Sequence, residues 1–169
     1  MPPEEDDQDV EFRFYQDYPW YAVLPRWLLL GIAFGLGIYV LFQLKNYLAY
    51  LYILYGATCL TLILPLSRCV YCGYHGRFCP SGFGKIAAYL FPKNDESQYS
   101  AKYLYFTLTY PFWLFPGLVG LIQVLRVRTY MSLILLLAYL LTLFLERVFL
   151  RTMGCRNCRQ RKICPGIPF

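Results

Sequence analysis

The chain has a single histidine, His75, among 169 residues. A bis-histidine haem, a histidine-rich metal centre and most histidine-based triads need more than one. Charge is also scarce. Asp, Glu, Lys and Arg make up 15% of the residues, against roughly 25% in an ordinary soluble domain. No glycine-rich phosphate loop, histidine-rich diiron pattern or GxSxG elbow is present. The acidic start MPPEEDDQDVEF lacks the basic residues and cleavage site of a signal peptide. These absences argue against a soluble enzyme of the familiar hydrolytic or nucleotide-binding kinds.

Apolar residues are abundant instead. Hydrophobic residues reach 58% and aromatic residues 20%, with 17 Tyr and 13 Phe. A helix crossing a bilayer needs about 20 mostly apolar residues. Four stretches qualify: Trp27–Leu44, Tyr47–Leu66, Tyr103–Leu125 and Tyr130–Leu150. Too little polar chain remains to cover four such runs in a soluble core. The predicted fold is an all-α integral membrane protein of four transmembrane helices arranged as two hairpins. Residues 1–26 then form an acidic tail and an interfacial aromatic segment. Residues 27–66 form the first hairpin, 67–102 a cysteine-rich loop, 103–150 the second hairpin, and 151–169 a cysteine-rich basic tail.

Details within the spans carry further expectations. Pro111 and Pro116 each remove an amide donor, so the third span should kink or break. Gly31 and Gly35 form a GxxxG step at which another helix can approach closely. Tyrosines such as Tyr47, Tyr50, Tyr52, Tyr103 and Tyr105 lie near span ends, where interface anchors belong. Cys59 reads as a small packed residue. Polar groups in the spans are few: Gln43, Thr58, Thr61, Gln123, Ser132, Thr142 and Glu146. Glu146 should pair with the adjacent Arg147 or snorkel to the interface. No acidic relay crosses the membrane, which argues against a proton pump or channel built by one chain.

Orientation follows from the basic residues. With four spans, the termini and central loop share one side. That side holds Arg13, Arg26, Arg68, Arg77, Lys85, Lys93, Lys102, Arg147, Arg151, Arg156, Arg159, Arg161 and Lys162. The other side holds Lys45, Arg126 and Arg128. Thirteen of the 16 basic residues against three predicts that the termini and central loop are cytoplasmic.

Six of the seven cysteines fall in two runs, each just after a hydrophobic span. The first, RCVYCGYHGRFCPSG, holds Cys69, Cys72 and Cys79. The second, GCRNCRQRKICPG, holds Cys155, Cys158 and Cys164. The spacings are C-x2-C-x6-C-P and C-x2-C-x5-C-P, which reads as duplication of a hairpin-plus-cysteine unit. A pseudo-two-fold axis along the membrane normal would then bring the runs together. A reducing cytoplasm disfavours disulfides and points to metal binding or thiol chemistry. The basic residues around both runs should favour thiolates.

Several ligand sets satisfy this pattern. One zinc on Cys69, Cys72, Cys155 and Cys158 resembles a zinc ribbon divided between two halves. Cys69, Cys72, His75 and Cys79 form an alternative closed site. All six cysteines around two zinc ions resemble the binuclear clusters of fungal transcription factors, an analogy of coordination that implies no nucleic-acid partner. An iron–sulfur cluster is a fourth possibility.

The expected function is a small membrane accessory or scaffold subunit with a structural zinc joining its two halves, since no catalytic set is evident in the sequence. Its partners would be lipids and other membrane subunits. The basic run Arg151–Lys162 serves as a stop-transfer flank or a grip on acidic headgroups. The alternatives are an iron–sulfur electron-transfer subunit and a membrane thiol–disulfide oxidoreductase.

Overall fold

The computed structural model describes residues 17–127, 129–158 and 164, with the side chain of Tyr103 excepted. The acidic N-terminal stretch and most of the basic run after Cys158 lie outside the described residues. Among those described there are helices and no strands, and four helical segments are long and apolar enough to cross a membrane. They are Trp20–Leu44, Asn46–Tyr71, Leu104–Val127 and Tyr130–Cys155.

The first span is one helix, α1 (Trp20–Leu44), entered through extended Pro19. It begins seven residues before the expected Trp27. Pro25 lies inside the helix, one turn past its start, and denies the Tyr21 carbonyl its usual amide donor, while Trp20 and Tyr21 of the aromatic segment form the first turn.

The second span starts immediately after Lys45 with α2 (Asn46–Thr58). It loosens into a π turn over Cys59–Ile63, re-forms as α3 (Leu64–Ser67) and closes in a 3-10 turn over Cys69–Tyr71. At the π turn the Leu64 amide reaches back to the Cys59 carbonyl. Pro65 has no amide to offer the carbonyl four residues before it, so a wider turn is a natural accommodation.

The third span tightens into a 3-10 turn just before Pro111, while the α-helix runs on through Pro116. Helix α5 (Tyr99–Phe106) passes through a 3-10 turn over Thr107–Thr109 into α6 (Tyr110–Val127). Carbonyls loosened by the turn find local donors. Thr109 Oγ1 donates to the Phe106 carbonyl at 2.8 Å, and the Tyr55 hydroxyl donates to that of Leu108. Further along, the Tyr139 hydroxyl donates to the Trp113 carbonyl at 2.7 Å beside Pro116. Helix α7 (Tyr130–Phe149) continues into a second π turn, Leu150–Cys155.

Helix α1 packs against α2, α6 and α7, and α6 packs against α7. The bundle core joins Val40, Leu41, Ala49, Tyr52, Cys59, Phe112 and Val119. Tyr52 and Phe112 stack with centroids 4.9 Å apart. Tyr52 is therefore an interior residue and not the interfacial anchor expected of it. The close helix approaches also differ from expectation. No atom lies within 4 Å of a Cβ built on Gly31 or Gly35, whereas one on Gly56 would meet the Phe112 ring at 2.6 Å. Cys59 is buried as expected.

Polar groups in the spans are held locally. Thr58, Thr61 and Thr142 donate back to their own helices, and Gln123 donates to the Val40 carbonyl at 2.9 Å. Glu146 pairs with Arg26 at 2.9 Å, and not with its neighbour Arg147. Sequence adjacency was a poor guide because successive helical residues point in different directions.

Candidate metal centre

The start of α1, the end of α3, the start of α5 and the end of α7 meet at one end of the bundle. The segment between Cys69 and α4 (Phe83–Leu90) folds over that end in tight turns. Residues 69–71 form a 3-10 turn, and the Cys72 amide donates to the Cys69 carbonyl at 3.3 Å. The same bond closes the second CxxC, from the Cys158 amide to the Cys155 carbonyl at 3.3 Å. Gly76 and Gly82 have φ of 82° and 77°, a left-handed region that glycine enters without penalty. Gly84 permits the closest approach. A Cβ there would lie 2.3 Å from the Tyr74 carbonyl oxygen and 2.4 Å from that of Arg77.

All six clustered cysteines line one chamber of about 180 Å³. Cys69 and Cys79 are buried in its wall, while Cys72, Cys155, Cys158 and Cys164 are half-buried. Arg26, Arg68, Arg147, Tyr99, Leu64 and Phe106 also contribute to the lining. Among the described residues, no three His, Cys, Asp or Glu side chains stand together closely enough to hold a metal ion. The sulfurs thus surround a space without converging on a point.

Polar groups reach several of these sulfurs. Arg68 donates from Nη2 to Cys164 Sγ at 3.1 Å and to the Tyr99 hydroxyl oxygen at 2.7 Å. The Tyr99 hydroxyl in turn donates to Cys164 Sγ at 3.8 Å. Cys79 Sγ and Ser81 Oγ are 3.0 Å apart. The Arg68 guanidinium also lies over the Phe106 ring, 4.7 Å from its centroid, which fixes its direction. Burial holds the Tyr99 hydroxyl protonated well above the ordinary tyrosine range, so it remains a donor.

The thiolate expectation does not hold at Cys72. Burial pushes its thiol up to about 11, with the Tyr74 amide and Arg68 pulling it back and Cys79 adding to the rise. Desolvation outweighs the nearby cations because it acts on the sulfur itself, while the cationic effect weakens with distance.

Contacts join the two runs directly. The Tyr18 hydroxyl donates to the Gly154 carbonyl at 2.7 Å, and the Tyr18 amide donates to the Phe78 carbonyl at 3.0 Å. A Cβ on Gly154 would lie 3.0 Å from Pro80 Cβ. His75 lies apart from this assembly. It is not among the chamber residues, and its Nε2 is 3.1 Å from the Phe91 carbonyl oxygen.

Sequence reasoning did not single out Tyr18, Ser81 and Tyr99. Each lies far from, or merely beside, a cysteine in sequence and comes to the chamber through folding. Comparison with family models, curated proteins and solved structures gives no match, so the chamber's own geometry carries the functional reading.

Proposed function

We propose that this chain is a multi-pass membrane accessory subunit whose cysteine chamber holds a thiolate-bound metal centre that clamps its two halves together. The observation that carries this reading is the arrival of Cys69, Cys72, Cys79, Cys155, Cys158 and Cys164 at one chamber from two distant stretches of sequence. Structural zinc and iron–sulfur groups both use such donors.

The lining chemistry supports the assignment. Thiolates around a metal form an anionic centre, and Arg68 and Arg147 supply compensating charge, Arg26 being paired with Glu146. The raised Cys72 thiol fits poorly with a disulfide-exchange nucleophile, which works as a thiolate. The matching backbone bonds in the two CxxC turns support a duplicated unit, and the basic-residue bias supports a cytoplasmic chamber.

The test is metal analysis of the full chain, purified gently with its co-purifying subunits, beside a Cys69→Ser/Cys155→Ser variant. The expected result is a stoichiometric metal content in the native protein that the variant loses. Native protein that binds no metal under any loading condition would sink the reading. A defined set of co-purifying membrane proteins is the expected sign of the subunit role.

A further inference from the structure

Resting on that metal-centre reading, we infer that the chamber takes a [4Fe–4S] cluster bound by cysteines from both runs. Size is the first argument. The chamber measures about 180 Å³, whereas a cavity of about 150 Å³ already accommodates benzene. A single ion leaves most of such a space empty.

Ligand spacing is the second argument. Zinc–sulfur bonds of about 2.3 Å in a tetrahedron require sulfurs about 3.8 Å apart. Among the described residues, no three candidate ligands converge on a metal position. Binding zinc there requires the chamber walls to contract. A cubane cluster has its cysteine sulfurs outside a core of iron and sulfide atoms, so its ligands stand well apart around a filled space. Six thiols lining a space of this volume offer more than the four ligands that such a cluster needs.

The walls provide the third argument. Iron–sulfur centres are tuned by hydrogen bonds to sulfur, net charge and solvent exposure. Arg68 and Tyr99 direct donors at Cys164 Sγ, and Ser81 lies beside Cys79 Sγ. Leu64 and Phe106 add apolar surface that limits water at the core. Loading from a preformed cluster is ligand exchange. Four cysteine thiols displace four small thiolate ligands from a [4Fe–4S] core; four iron–sulfur bonds to the old ligands break as four to cysteine form, each cysteine proton leaves on the departing thiol, and no iron changes oxidation state.

The chain in detergent is purified anaerobically and incubated with a preformed [4Fe–4S] cluster carrying small thiolate ligands. Parallel samples receive zinc. About four irons and four acid-labile sulfides per chain, with a visible charge-transfer band, are expected for the cluster. Variants C69S/C72S/C79S and C155S/C158S/C164S should each lose that content, while C59S should retain it because Cys59 lies in the bundle core. Size-exclusion profiles identify any variant that misfolds, and the native protein's iron and sulfide content decides the matter without them.

Zinc bound tightly with no iron or sulfide retained overturns the cluster and leaves the metal-centre reading standing. Neither metal bound overturns both. Full cluster content in either correctly folded triple variant overturns the joint ligation by the two runs.

Discussion

The hydroxyl of Tyr18 donates to the backbone carbonyl of Gly154 at 2.7 Å, spanning 136 positions of sequence. This buried bond ties the entry to the first helix to the π turn that delivers Cys155. Its acceptor is part of a widened turn, where carbonyls are less securely partnered than in a regular helix. Tyr18→Phe should preserve packing against Tyr74 while leaving that carbonyl without this donor. The expected loss is about 1–3 kcal/mol, read as a lower midpoint of thermal unfolding in detergent.

Arg26 and Glu146 make a second long-range tie, with N···O at 2.9 Å and side chains only 13% and 15% exposed. Removing one partner strands the other charge in a poorly solvated position. Glu146→Gln or Arg26→Gln should each cost about 3 kcal/mol, whereas the double variant should recover part of that loss. Unfolding measurements on the three variants give the coupling directly. Additive losses would show that the pair contributes little as a pair.

Asp95 begins the 3-10 turn leading to Tyr99. Its side chain accepts from the Ser97 amide at 3.0 Å and from the Ser97 hydroxyl at 2.7 Å. These bonds, the hydroxyl's first, lower the carboxyl pKa. A folded pKa below the unfolded one gives stabilisation that is present above the unfolded value and lost as pH falls through the folded value. Ser97 amide protection from hydrogen exchange, corrected for the intrinsic rate, should therefore be present near neutrality and fall in acid. In Asp95→Ala it should be low throughout.

Two glycines should respond in opposite ways. Gly84→Ala forces a Cβ to within 2.3 Å of the Tyr74 carbonyl oxygen, so the turn over the chamber must shift. A loss of about 1–3 kcal/mol or more is expected. Gly31→Ala meets nothing within 4 Å and should be neutral or slightly stabilising, because alanine favours the helix. Thermal unfolding of the two variants tests the contrast.

The spans were legible because a bilayer imposes a long apolar run whatever the neighbouring helices are. The 3-10 turn before Pro111 was legible because a missing amide acts locally. Contacts between helices were not. Gly31 and Gly35 match a packing motif yet face open space, while Gly56 approaches Phe112 without any such signature. Tyr52 looked like a surface anchor by position, and its stacking on Phe112 depends on a partner 60 residues away. At the candidate site the six cysteines were legible from spacing. The direction of the His75 ring, the raised Cys72 thiol and the sulfur donors Arg68 and Tyr99 depend on the folded turns.

The joint between the first two spans consists of Lys45 alone, and the second hairpin turns nearly as tightly before Tyr130. That extremity gives an approaching macromolecule scarcely any foothold beyond helix tips. Among the described residues, the folded turns that present backbone and side chains lie at the opposite pole, around the chamber.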